Sequence, residues 1–290
     1  VAGGRIDIPP GGHPDPMSDV ERLRDLVHAG SVTILCGAGL STESGIPDYR
    51  GPTGALRARL PMTIAEFTGS AQARRRYWAR SHRGWRRMSA AAPNAGHEAI
   101  AALQAAGLVH GIITQNVDGL QQQAGARDVI ELHGSLADVV CLRCGARSDR
   151  ARLDARLRTA NPDLTADAAS EAVSDRPDGD VELPETEVES FALVQCEVCG
   201  SDMLKPDVVF FGENVPRDRV DRCHALVESA ASLLVVGSSL TVMSGLRFVH
   251  RAERERIPVA IVNRGQTRGD PMATVKLDAS LGEALRALVA

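Results

Sequence analysis

The residues whose spacing most directly suggests chemistry are four cysteines in two CxxC pairs, Cys141 with Cys144 and Cys196 with Cys199. Two such turns can present four thiolates in a tetrahedron about 2.3 Å from Zn²⁺, and a closed site of four cysteines is structural rather than catalytic. A glycine follows each pair (Gly145, Gly200), as a tight knuckle turn favours. Roughly fifty residues separate the pairs, well beyond the 15–20 of a compact zinc ribbon. A redox CxxC and buried free thiols are therefore competing readings, but paired CxxC units without a secretion signal favour a metal over disulfides. Cys36 and Cys223 stand alone.

A second group is polar and glycine-rich. Gly37-Ala38-Gly39-Leu40-Ser41-Thr42 follows a short apolar run, Val32 to Leu35, in the order strand, glycine turn, helix that places a phosphate at a helix N-terminus. It is not GxGxxG, since Thr42 takes the third glycine position, and no acidic residue ends a second strand about 20 residues on. Both facts argue against a dehydrogenase. Thr114-Gln115-Asn116-Val117-Asp118-Gly119 and Glu131-Leu132-His133-Gly134 supply an amide, a carboxylate and an imidazole at strand ends. Such a set suits holding a ribose and removing a proton from it, with His133 as general base. On context alone, a satisfied structural histidine is the competing reading.

The elements that must position these residues alternate. Ser18-Asp19-Val20-Glu21 has capping-box spacing and opens a helix running to about His28. Strands are expected at 32–35, 109–114, 129–132, 207–211, 233–236 and 259–262, with helices near 94–106, 217–230 and 246–256. This rhythm predicts an α/β fold with a doubly wound, mostly parallel Rossmann-like sheet. Residues 51–92, helical in pattern, and 139–204, which carry the cysteines, break the rhythm and read as two insertions forming a smaller helical and zinc-binding module. The nucleotide-binding domain then comprises 18–50, 93–138 and 205–290, preceded by a loose arm over 1–17.

Bulk properties exclude other classes. The 290 residues are 43% hydrophobic and 24% charged, normal for a globular chain with a sizeable core. A net charge of −4 leaves no electrostatic footprint for nucleic acid, and no apolar run approaches the roughly 20 residues of a membrane span. Lys205 and Lys276 are the only lysines among many arginines, a bias that fits a GC-rich bacterial genome. The expectation is a cytoplasmic monomer.

Together these residues resemble the sirtuin family. The blocks are GAGLSTESGIPDYRG (Gly37 to Gly51), TQNVDGL (Thr114 to Leu120), ELHG (Glu131 to Gly134), the CxxC pairs, LKPDVVFFGE (Leu204 to Glu213), GSSL (Gly237 to Leu240) and Val262-Asn263. GIPDYR, RRRYWARSHRGW (Arg74 to Trp85) and PDGDVELPETEVESF (Pro177 to Phe191) are similar to the class II branch and to its mitochondrial member, the fourth human paralogue. The last segment accounts for the long gap between cysteine pairs and is expected near the active site.

The resemblance implies NAD as co-substrate and one structural zinc held by Cys141, Cys144, Cys196 and Cys199. It places Gly37, Ala38, Gly39 and Ser41 near the pyrophosphate, with Asp48, Tyr49 and Arg50 closing over it. Gln115, Asn116 and Asp118 would line the ribose and nicotinamide pocket, and Gly237, Ser238, Ser239, Asn263, Arg264 and Gly265 would hold the adenosine, with Leu281 near the adenine. His133, Asn116 and Asp118 are the implied catalytic group. An acyl-lysine peptide would lie as a strand between Val208, Phe210, Phe211 and Gly212 and the stretch after Gly237.

The implied activity transfers an acyl group from protein lysine to ADP-ribose with release of nicotinamide. Tyr77 and Arg80 have the Tyr-x-x-Arg spacing of the desuccinylase branch, and on a helix they share a face where a guanidinium could bind a carboxylate. Core aromatics beside a solvated charge are the competing reading. The expectation drawn is a preference for longer or acidic acyl groups over acetyl. Rival functions are an NAD-dependent mono-ADP-ribosyltransferase and a non-catalytic NAD or acyl-lysine sensor.

Overall fold

The computed structural model describes residues 18–49, 61–164 and 178–289. The expected N-terminal arm and Arg50 lie outside them. Ser18 caps helix α1 (Asp19–His28), and its capping box with Glu21 closes in both directions, as the spacing predicts. Strand β1 (Val32–Cys36) follows, and all five of its residues are buried.

Beyond β1 the chain passes through helices α2 (Ile64–Gly69), α3 (Ala71–Ala90) and α4 (Ala95–Ala105) to strand β2 (Val109–Thr114). Helix α5 (Leu120–Gln123), strand β3 (Ile130–Glu131), strand β4 (Gly134–Cys141) and strand β5 (Arg147–Asp149) come next. Helices α6 (Arg150–Ala160) and α7 (Glu185–Ser190) precede strand β6 (Leu204–Val208) and helix α8 (Arg217–Glu228). Strand β7 (Ser232–Val236), helix α9 (Met243–Arg254), strands β8 (Val259–Val262) and β9 (Val275–Leu277), and helix α10 (Leu281–Val289) complete the order.

One sheet has the order β3-β2-β1-β7-β8-β9, with every neighbouring pair parallel. Strands in such a sheet are covered on both faces and so read as apolar runs. Along β1 the pleat sends Val32, Ile34 and Cys36 into a core shared with Leu23 of α1, Ile100 of α4 and Leu285 of α10. Leu35 points the other way, into a core with Val227 of α8 and Phe248 of α9. Chain order reverses between β1 and β7, the switch point beside which open α/β sheets bind ligands.

A second sheet, β5-β4-β6, is antiparallel. Here the structure corrects the sequence reading. The strand expected at 207–211 lies at Leu204–Val208 and pairs with β4, so it does not extend the parallel sheet. Both boundaries drawn at 138/139 and 204/205 therefore cut into strands of the smaller sheet. The switch occurs at Gly134, whose φ of +83° turns the chain immediately after His133, and a Cβ there would lie 1.9 Å from the Asp207 carbonyl oxygen. Only glycine tolerates both conditions. The antiparallel sheet shares a core with α2, α3 and α6 through Phe67, Tyr77, Trp78, Val139, Leu153 and Leu204. Among the described residues, no helix is long and apolar enough to cross a membrane.

Candidate active site

A cavity of about 550 Å³ opens between the two sheets at the C-terminal ends of the parallel strands. The loop after β1 forms its floor. Gly37 is extended (φ −133°, ψ 179°) and starts a 3₁₀ turn, Ala38–Ser44. The glycines of this loop answer first to a neighbouring backbone: a Cβ on Gly37 would lie 2.6 Å from the Ser238 Cβ, and one on Gly39 would lie 2.9 Å from the Gly237 carbonyl oxygen. Gly237 has φ +63° and a Cβ on it would meet the Leu40 nitrogen at 2.5 Å. The loops after β1 and β7 thus interlock, leaving Gly37, Ala38, Gly39 and Ser41 against the cavity.

The polar residues after β2 are held before any ligand arrives. Asn116 Nδ2 donates to the Gly37 carbonyl (3.1 Å) and to Ser41 Oγ (3.0 Å), and Ser41 Oγ donates to Asp118 Oδ2 at 2.6 Å. Asp118 Oδ1 accepts from the Leu120 backbone at 3.0 Å. Gln115 Nε2 reaches Ser238 Oγ (2.8 Å) and the Cys36 carbonyl (3.2 Å), tying together the ends of β1, β2 and β7. Fixed donors and carboxylates of this kind need little rearrangement on binding.

His133 sits where the two sheets meet. Its flanking backbone is pinned on both sides, Leu132 N to the Thr114 carbonyl (2.8 Å) and Val209 N to the His133 carbonyl (2.8 Å). Its Nδ1 lies 2.9 Å from the Gln115 carbonyl oxygen, which can only accept. The ring proton therefore resides on Nδ1, and Nε2 presents a lone pair, 2.9 Å from Ser244 Oγ. Burial pushes the imidazole below its ordinary pKa, and Arg219 and Arg247 add to this, while the Gln115 hydrogen bond opposes it. The neutral, proton-accepting form is favoured.

The remaining expected residues divide. Asp48, Tyr49, Ser238, Ser239, Asn263, Arg264 and Gly265 line the cavity, as do Val208, Phe210, Phe211 and Gly212 on the opposite wall. Tyr49 bridges the two walls by an edge contact with Phe211, with ring centroids 6.3 Å apart. Leu281 does not line it; it is buried in the core, with its side chain against the back of Gly237.

Tyr77 reaches the cavity, packed against Phe67 and Phe210. Arg80, expected beside it as a carboxylate receptor, does not line the cavity. Its guanidinium is paired with Asp180 at 3.6 Å and hydrogen-bonded to Glu182, so the chain's own carboxylates occupy it. The cause is a close approach: a Cβ on Gly84 would lie 1.8 Å from the Gly179 carbonyl oxygen, so α3 and residues 178–182 meet backbone to backbone. Asp178 and Asp180 thereby also line the cavity. Sequence reasoning missed Ser244, because it started the ninth helix near Leu246 whereas α9 begins at Met243. No local signal marks that start, since Val242 at the N-cap makes no side-chain hydrogen bond to the helix.

Cys141, Cys144, Cys196 and Cys199 converge, with all four sulfurs within 4.8 Å of one another. The Cys141–Cys199 and Cys144–Cys196 separations are 3.7 and 3.8 Å. A tetrahedron with bonds of about 2.3 Å has edges of about 3.8 Å, so the four thiols fit zinc. The two knuckles repeat one geometry: Gly145 N donates to the Cys141 carbonyl and Gly200 N to the Cys196 carbonyl, with φ +74° and +72°.

Comparison with known proteins gives a consistent result. A sequence model of the Sir2 family matches residues 37–244. A Streptomyces coelicolor protein named NAD-dependent protein deacetylase 1 is 54% identical over 96% of this chain and 90% of its own length. The Bos taurus protein named NAD-dependent protein lipoamidase sirtuin-4, mitochondrial, is 44% identical over 96% of this chain and 88% of its own length. Among solved structures, one described as Sir2-p53 peptide-NAD+ superposes with a TM-score of 0.72 at 31% identity, covering 93% of this chain and 96% of that one.

Proposed function

The chain belongs to the Sir2 family of NAD-dependent protein deacylases, and on that premise we propose that it removes acyl groups longer than acetyl from protein lysine, with His133 as general base. The observation that carries the reading is the His133 tautomer. Its Nδ1 is committed to a carbonyl, and its basic Nε2 belongs to a cavity that also contains the interlocked glycine loop.

When bound, NAD⁺ would supply the ribose carbon that nicotinamide leaves, and the acyl group would end on ADP-ribose. The backbone of Gly37 to Gly39, which carries almost no side chain and lines the cavity, would let the pyrophosphate approach closely. Asn116, Ser41 and Asp118 would orient the nicotinamide ribose through their fixed chain of hydrogen bonds. Asn263, Arg264 and Gly265, at the end of β8, would hold the adenosine side. His133 Nε2 would receive a ribose hydroxyl proton, allowing that oxygen to take the acyl carbon. The four cysteines would hold a structural zinc, since a set of four thiolates suits a closed tetrahedral site with no part in this proton transfer.

Chain length is favoured by the apolar residues of the cavity lining, Ile46, Met62, Val117 and Phe210, which share a cluster with Tyr77. Each methylene buried there contributes about 0.8 kcal/mol. An acidic chain end is disfavoured, because Arg80 is occupied and Asp178 and Asp180 stand at the same end. The bovine relative's name, lipoamidase, supports a long apolar acyl group. The test is a panel of acetyl-, octanoyl-, lipoyl- and glutaryl-lysine peptides. Octanoyl and lipoyl should exceed acetyl in kcat/KM by at least about tenfold, with glutaryl no better than acetyl. Acetyl as the best substrate would sink the preference. His133→Ala should lower deacylation by about 10²–10⁴-fold while sparing the fold, and the wild-type acid limb should fall below the ordinary histidine value near 6.5.

A further inference from the structure

We propose that Ser244 is a catalytic residue that relays the ribose proton to His133. The inference rests on the reading of His133 as general base, and it concerns the atom through which that base works. With Nδ1–H donated to the Gln115 carbonyl, the only basic site on the ring is Nε2, and the partner of Nε2 in the structure is the Ser244 hydroxyl at 2.9 Å. A neutral imidazole offers that nitrogen as acceptor, so the serine O–H is the donor. Its oxygen lone pairs remain available to a second donor, and Ser244 lines the cavity beside His133.

The position of this hydroxyl is built by its neighbours. Ser244 lies in the first turn of α9, and Gly245 after it is pressed against Gln115, where a Cβ would come within 2.5 Å of Oε1. Gln115 is thus the common reference for both groups: its carbonyl orients the imidazole, and its side chain sets how closely α9 approaches. Arg219 and Arg247 disfavour the imidazolium before reaction. A ribose hydroxyl entering the cavity would meet the serine oxygen. The step balances as a double transfer: the ribose O–H breaks, its proton binds Ser244 Oγ, and the serine's own proton passes to His133 Nε2. Serine ends neutral, the imidazole ends as imidazolium, and the negative charge resides on the ribose oxygen.

Three variants test the relay: Ser244→Ala, Ser244→Thr and Gly245→Ala. Deacylation is read as single-turnover formation of O-acyl-ADP-ribose, and the earlier step as exchange of labelled nicotinamide into NAD. Ser244→Ala should lower the first by about tenfold to a hundredfold, within the range of general-base effects, and leave exchange within about twofold of wild type. Ser244→Thr, which keeps a hydroxyl, should recover most of the rate, and Gly245→Ala should fall between. The dependence of rate on D₂O fraction should be curved in the wild type, where two protons move, and linear in Ser244→Ala. Unchanged turnover in Ser244→Ala, an equal loss in deacylation and exchange, or a linear wild-type dependence would each overturn the relay. Full deacylation by His133→Ala would instead overturn the underlying reading of the base.

Discussion

Strands β1, β7 and β8 are buried along their whole length between helices on both faces, whereas the module that contains α3, α6 and the cysteine knuckles is fastened at separate points. There, Arg74 pairs with Asp202 at 2.7 Å, His82 meets Asp154 at 2.5 Å, and four thiols close on one another. Arg150, fully buried, lies 5.0 Å from the Trp78 ring and 4.9 Å from the Trp85 ring. The reactive cavity lies along the seam. The parallel sheet contributes the interlocked glycines and the fixed amide and carboxylate, and the other side contributes the aromatic wall with Tyr77. One region is held by apolar cores on both faces of its sheet, while the other adds ion pairs and a four-thiol metal site to a single core.

That contrast predicts where the molecule breaks. Removing zinc with a chelator, or replacing Cys141 by Ser, should have the largest effect. Structural zinc contributes about 10–16 kcal/mol in small modules, so the module should unfold at a lower temperature than the parallel sheet, with two transitions in calorimetry. A single transition at the wild-type temperature after metal loss would dissolve the distinction. Next, Arg150→Met removes its hydrogen bonds to Ser81 and the 3.8 Å pair with Asp154, which keeps His82 and Arg158, at a cost of about 1.5–3 kcal/mol. Chemical denaturation should locate that loss in the module transition only.

A smaller change in the other region sharpens the comparison. Ile34→Val, in the centre of β1, should cost about 0.5–1.5 kcal/mol and lower the main transition without moving the module's. The smallest effect concerns pH. Burial alone would raise the Asp154 carboxyl, but His82, Arg150 and Arg158 outweigh it and hold the folded-state pKa below the ordinary value. A carboxylate depressed on folding contributes stability present above its unfolded pKa, near 3.9, and lost as pH falls through the folded value. The module transition should accordingly decline below about pH 4, and Asp154→Asn should flatten that decline. A steeper decline in the variant would reverse the assigned sign.

Much of this architecture is legible in the sequence, and particular residues show why the rest is not. The Ser18 capping box, the apolar runs at 32–35, 233–236 and 259–262, and the knuckle glycines each express a preference satisfied within a few residues. Positioning His133 after a short strand required only that local pattern. The strand at Leu204–Val208 is hard to place because its own residues, LKPDV, are largely polar, while the apolar run 208–211 that follows it lines the cavity; its pairing depends on Gly134, about seventy residues earlier. Arg80 reads as a carboxylate receptor until its partners appear a hundred residues on, at Asp180 and Glu182.

The sequence by itself determined the doubly wound sheet, the two CxxC pairs and a histidine at a strand end. Short-range stereochemistry and the pleat act within a window of a few residues, so those features survive without knowledge of the rest of the chain. Tertiary structure decided which nitrogen of His133 is basic, that Ser244 stands at it, and that the Arg80 charge is already taken. Each of these depends on the partner that packing brings within about 3–4 Å, and at that range the distant half of the chain decides the chemistry.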